Sequence, residues 1–97
     1  MNDLDPSEFY LSQNYPNPFS EKTSIKFCLA YKTKVKLEVF HSEGEMIKIL
    51  LDEEKEAGTY EVEFRSAVGN IQLAKGSYYY RFEAGDYHCE KEMLKIK

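Results

Sequence analysis

Ninety-seven residues allow one domain with one modest core, hiding roughly 60–65% of the surface that the unfolded chain exposes. Apolar residues at 42% and charged residues at 31% exclude a disordered chain, and the β-branched and aromatic bias, with eight tyrosines and no tryptophan, favours strands. A net charge of -4 speaks against a nucleic-acid surface and against electrostatic docking on anionic lipid, and no apolar run approaches the roughly 20 residues of a membrane span.

Met1-Asn2-Asp3-Leu4-Asp5 opens acidic, where a signal peptide would open basic and continue apolar. Residues 1–8 are polar and acidic and read as a linker remnant or flexible N-terminus, which leaves residues 9–97 as the domain. Phe9 to Gln13 predicts a short first strand. Asn14-Tyr15-Pro16-Asn17-Pro18-Phe19 follows, and its two prolines each fix φ and push Tyr15 and Asn17 into extended geometry. That stretch predicts a rigid crossing with Tyr15 and Phe19 as apolar anchors, and a cis Tyr15-Pro16 bond is compatible with it.

Alternation with period two then dominates. Ile25, Phe27 and Leu29 share one face of a strand, with Ser24 and Lys26 on the other. Val35, Leu37 and Val39 point inward between Lys34, Lys36 and Glu38. Ser42-Glu43-Gly44 predicts a hairpin turn with glycine at positive φ. Met46 to Leu51 is apolar at nearly every position, which suits a strand buried on both faces better than a turn of helix. Asp52 to Gly58 reads as a charged loop. Tyr60, Val62 and Phe64 alternate with Glu61, Glu63 and Arg65, and a longer connection runs from Arg65 to Gly76 through Gly69-Asn70.

Tyr78, Tyr80 and Phe82 then alternate with Ser77, Tyr79, Arg81 and Glu83, and Gly85-Asp86 marks a tight hairpin. The last segment, Tyr87 to Ile96, changes phase. Tyr87 and Cys89 point one way and Leu94 and Ile96 the other, so a β-bulge near Lys91 to Met93 would reconcile them. No stretch carries a ten-residue helical stripe. About seven short strands at this spacing predict an all-β, immunoglobulin-like sandwich of two antiparallel sheets.

The chemistry-bearing residues are sparse. Cys28 and Cys89 lack metal-type spacing and are either two unpaired thiols or one bridge between neighbouring strands. His41 and His88 lie in no hydrolase motif, and there is no GxSxG elbow. His88 and Glu90 share a strand face, but two ligands do not make a metal site. The Asp52-Glu53-Glu54-Glu56 run lacks the glycine and spacing of a calcium loop. No catalytic, cofactor or metal site is expected. Tyr10, Tyr31, Tyr79 and Tyr87 are candidates for stacking on a sugar, so a carbohydrate-binding or structural spacer module is the alternative function.

One ordered set of motifs carries more information. Phe9-x-Leu11-x-Gln13-Asn14-Tyr15-Pro16-Asn17-Pro18-Phe19, then Thr23-x-Ile25-x-Phe27-x-Leu29, resembles the opening of the C-terminal sorting domain of the type IX (Por) secretion system. Val35-x-Leu37-x-Val39-Phe40 with Gly44, then Ala57-Gly58-Thr59-Tyr60-x-Val62, is similar to the family's middle motifs. Gly76-x-Tyr78-Tyr79-Tyr80-Arg81-Phe82 resembles its penultimate strand, and Lys91-x-Met93-Leu94-Lys95-Ile96-Lys97 its terminal strand.

The resemblance implies a non-enzymatic transport address behind an N-terminal cargo. Its implied partners are an outer-membrane secretion translocon and surface-attachment machinery. The implied route is through the periplasm to the cell surface or beyond. It casts Lys91, Met93, Leu94, Lys95, Ile96 and Lys97 as the recognised element, with Lys95 and Lys97 foremost. Lysines there also suit a solvated edge strand guarded against aggregation. An exposed terminal strand would offer unpaired backbone to a partner's sheet, and edge strands of this kind permit weak self-association.

Overall fold

The computed structural model describes residues 8–69 and 71–96. The linker expected over 1–8 therefore falls almost wholly outside the described residues, as does Lys97. The strands are β1 (Tyr10–Leu11), β2 (Lys22–Leu29), β3 (Thr33–His41), β4 (Met46–Lys55), β5 (Gly58–Arg65), β6 (Ala67–Val68), β7 (Ile71–Gln72), β8 (Gly76–Ala84) and β9 (Tyr87–Lys95). They form a three-stranded sheet in the order β1-β2-β5 and a four-stranded sheet in the order β4-β3-β8-β9, with β6 and β7 as a separate hairpin. Every pairing among them is antiparallel. The predicted all-β sandwich is what forms, with three two-residue strands added to the long ones.

The alternation seen in the sequence is what closes the sandwich. Thr23, Ile25, Phe27 and Leu29 of β2 turn inward, and so do Val35, Leu37 and Val39 of β3 and Tyr78, Tyr80, Phe82 and Ala84 of β8. Phe27 meets Phe82 across the two sheets at 5.0 Å between ring centroids. Each such fully buried side chain contributes on the order of 1.5–3 kcal/mol by leaving water. Two hairpins turn on glycine. Gly44 sits at φ +102° with its N–H donating to the His41 carbonyl, and Gly85 sits at φ +60°, where a Cβ would also come within 3.1 Å of Thr33 Oγ1.

Several expectations fail, each for a physical reason. The acidic run Asp52 to Lys55 is strand rather than loop, leaving only Glu56 and Ala57 between β4 and β5. The run pairs with the lysines of β3, Lys36 opposite Asp52 and Lys34 opposite Glu54, so its charges are matched cross-strand. Nor is Met46 to Leu51 buried on both faces. β4 is an edge strand in which Met46 and Ile49 stay nearly half exposed, and two register shifts against β3 break its alternation.

The third failure is the bulge placed near Lys91 to Met93. β8 and β9 pair without interruption from Gly76 opposite Lys95 to Ala84 opposite Tyr87. The unbroken phase sends Lys91, Met93 and Lys95 inward and Leu94 and Ile96 outward. Lys95 is only 2% exposed, so it is not the solvated edge lysine that its charge suggested; its Nζ donates to the Ile96 carbonyl at 3.3 Å. The fourth concerns Tyr15, which is 80% exposed and anchors nothing in the core, whereas Phe19 is buried as expected.

Candidate functional site

The terminal strand and the segment that runs beside it form the most specific arrangement in the molecule. Residues 13–19 make a strap that leaves the first sheet and crosses to the last strand of the second. At the first sheet, Ser12 N–H donates to the Lys26 carbonyl, and Tyr15 and Ser24 exchange both backbone bonds at 2.9 Å. Asn14 is the true anchor of the bend. Its buried amide donates to Thr23 Oγ1 at 3.0 Å and to the Pro16 carbonyl at 3.2 Å, and the Thr23 hydroxyl donates to that same carbonyl at 2.8 Å. The Tyr15-Pro16 and Asn17-Pro18 bonds are both cis.

At the second sheet the strap lies parallel to β9. Phe19 N–H donates to the Leu94 carbonyl at 2.9 Å, and Ile96 N–H donates to the Phe19 carbonyl at 2.8 Å. Two strap side chains add to these. Asn17 Oδ1 accepts from Leu94 N–H at 2.9 Å, and Gln13 Nε2 donates to the Glu92 carbonyl at 2.7 Å. Below them the Phe19 ring is buried 6.1 Å from Phe64. The outer edge of β9 from Glu92 to Ile96 is thus occupied, which corrects the expectation of unpaired backbone there. The sequence signal for this was a polar pair, Gln13 and Asn17, flanking prolines that cannot donate.

The other motif residues are structural in the plain sense. Gly58 sits at φ +148° against the Tyr60 ring, whose hydroxyl donates to the Glu56 carbonyl at 2.7 Å. Tyr60 stacks on Phe27 at 5.4 Å and carries Lys55 over its ring at 4.9 Å. Gly76 pairs with Lys95, and buried Tyr78 donates to the Ala74 carbonyl at 2.6 Å.

The residues considered for other chemistry do not converge. His41 Nδ1 accepts from the Glu43 amide, while His88 lies exposed beside Glu83 at 3.7 Å. Cys28 on β2 and Cys89 on β9 are both free thiols. Among the described residues no three His, Cys, Asp or Glu side chains gather as a metal site. Among the described residues no helix is long and apolar enough to cross a membrane. Of the candidate sugar-stacking tyrosines, Tyr31 and Tyr87 lie together and Tyr79 lies apart from them. Tyr79 stacks on Phe40 at 5.0 Å on the outer face of the second sheet, beside Arg81, while Tyr31 and Tyr87 both pack on Phe9 at the far end of β9.

The electrostatic shifts fall mainly on tyrosines that pack in or against the core. Burial raises the Tyr80 phenol far above its ordinary value, and its hydroxyl donates to the Ser12 carbonyl at 2.7 Å. Burial raises Tyr78 and Tyr87 as well. The bond to Glu90 raises the Arg81 guanidinium, keeping it charged. A raised phenol favours the folded state fully below the unfolded value of 10.0 and loses that advantage as pH climbs past it. Alkaline titration followed by circular dichroism should therefore show stability falling above pH ~10, and Tyr80→Phe should flatten that fall.

Comparison with solved structures places the sandwich among known folds. The crystal structure of dimeric latent PorU from Porphyromonas gingivalis matches 94% of this chain with a TM-score of 0.66 at 14% identity. The chain spans 10% of that PorU chain. A looser match, TM-score 0.49 at 11% identity, is the alkylpurine DNA glycosylase AlkC of Pseudomonas fluorescens, bound to DNA containing an abasic site analogue; it spans 94% of this chain and 31% of that one. No curated protein sequence matches. The family model of the secretion system C-terminal sorting domain matches residues 13–96, from the first residue of the strap to the end of the terminal strand, and the chain belongs to that family, the sorting domains of type IX secretion.

Proposed function

We propose that residues 9–97 act as the address of a larger exported protein, read by an outer-membrane translocon after passage through the periplasm, with the cargo N-terminal to Phe9. Release at the cell surface or attachment to it follows. The observation that carries this reading is the family match running unbroken from strap to terminal strand. Geometry supports the division of labour. Phe9 packs on Tyr87 at one end of β9 and Ile96 bonds Phe19 at the other, so the cargo junction and the tip of the strand stand about 30 Å apart at 3.3 Å per residue.

Of the terminal residues, Leu94 and Ile96 offer their side chains to a partner, at 41% and 43% exposure, while Met93 and Lys95 serve the core. Fusing residues 9–97 behind an exported reporter should bring it to the surface of a host bearing the type IX apparatus. The paired substitution Leu94→Ser and Ile96→Ser, which leaves the core intact, should lower the surface fraction about tenfold, as loss of an interface anchor does. Cell fractionation measures this. Undiminished surface display of the variant would overturn the assignment.

A further inference from the structure

Gln13 and Asn17 spend their side chains on backbone groups 79 and 77 positions downstream. Both residues are exposed, so neither is there to fill the core. A β-strand shows the N–H and C=O of alternate residues on one edge. On β9 that edge carries Glu92, Leu94 and Ile96, the residues whose groups meet the strap. Phe19 supplies two backbone bonds, and the two side chains supply the others. The bond from Leu94 N–H goes to the Asn17 side chain, since no strap carbonyl accepts it. Pro16 and Pro18 on either side of Asn17 have no N–H to compete for its oxygen.

The consequence lies in presentation. A terminal segment held on one edge only would fray, since chain ends open at little cost. Held on both edges, it keeps Leu94 and Ile96 facing outward in fixed register. We propose that Gln13 and Asn17 are positioning residues of the sorting signal, side-chain clamps that close the outer edge of β9 from Glu92 to Ile96 and hold Leu94 and Ile96 as the surface a partner meets. This rests on the reading of the terminal strand as the recognised element. It also fixes the mode: contact is through side chains on a closed edge, not through a strand added to that edge. Pre-organising the strand spares the partner the ordering cost on binding.

The test compares the full chain with Asn17→Ala, with Gln13→Ala plus Asn17→Ala, and with Asn17→Asp, which keeps an acceptor for Leu94 N–H. Two measurements are made on each: amide hydrogen exchange by NMR, and retention of the chain on outer membranes from a bacterium bearing the type IX apparatus, against membranes lacking it. In Asn17→Ala the Leu94 amide should exchange about fivefold faster or more, the loss of one hydrogen bond, while Val39 and Phe82 amides are unchanged. Retention should fall several-fold in Asn17→Ala, further in the double variant, and recover in Asn17→Asp. Unchanged Leu94 exchange overturns the clamp outright. Faster exchange with stronger retention overturns the mode, since it would mean that an open edge is what the partner wants. Should Leu94→Ser with Ile96→Ser retain fully, the terminal-strand reading falls and takes the positioning role with it, while the exchange data still report on the clamp alone.

Discussion

Phe82→Ala is expected to destabilise the domain by about 3–5 kcal/mol, the usual cost of emptying a large buried aromatic site. Phe82 is fully buried in β8, 5.0 Å from Phe27 across the sandwich and 5.9 Å from Tyr87 on the same sheet. It is therefore one of the side chains that join the two sheets. β8 is flanked by β3 and β9, so the wall of the hole has little freedom to collapse. A domain of this size has total stability on the order of 5–10 kcal/mol. The variant should lose about a third of it or more, visible as a proportionate fall in the urea midpoint at unchanged slope. Ile71→Ser is the control. Ile71 is 67% exposed, and its replacement should move stability by less than about 0.5 kcal/mol. A midpoint for Phe82→Ala within that control's range would show that the sheets are not joined through this residue.

The core was legible because period two is a property of the strand itself. Wherever a strand had one wet face and one dry face, as in β2 and β8, residue type alone separated the faces. Legibility failed where charge and burial parted. The β4 carboxylates looked like loop because their lysine partners lie on β3, sixteen to twenty positions away in sequence. Lys95 looked like surface, yet a long side chain can bury its stem at the end of a sandwich and turn its ammonium back to a backbone carbonyl. Tyr87 and Cys89 do face away from Leu94 and Ile96, but no bulge is needed to place them, because the strand keeps one phase throughout. The outward placement of Leu94 and Ile96 against an inward lysine inverts the ordinary hydrophobic rule, which residue type alone does not reveal.

The candidate site was half legible. The strand itself and the proline stretch were both visible as motifs, but nothing in one-dimensional pattern joined residues 13–19 to residues 92–96. That link is made by hydrogen bonds from an asparagine and a glutamine, residues whose partners propensity does not name. Tyr15 misled for the opposite reason. An aromatic between an asparagine and a proline suggests an anchor, whereas the bend is anchored by the buried amide of Asn14, and the ring stands in solvent.

Phe19→Ala should have the second large effect, and a more informative one. The ring is 1% exposed and meets Phe64 at 6.1 Å, so its loss should cost about 3–5 kcal/mol by the same reasoning as for Phe82. Its backbone also holds the C-terminal end of β9 from the outer edge: Phe19 N–H donates to the Leu94 carbonyl, and Ile96 N–H donates to the Phe19 carbonyl. Removing the ring frees the strap from the core while leaving those two backbone groups chemically able to bond. If the strap is seated by its aromatic, exchange at Leu94 and Ile96 should accelerate by more than the drop in global stability accounts for. Phe64→Ala removes the other ring of the pair but leaves the strap's own anchor in place, so there the acceleration should match global unfolding alone. Combining Phe19→Ala with Asn17→Ala should give a coupling of 0.5 kcal/mol or more, because both act on one seated segment. Strict additivity of the pair would mean that ring and clamp hold the strand independently, and that seating by the aromatic is not what keeps the edge closed.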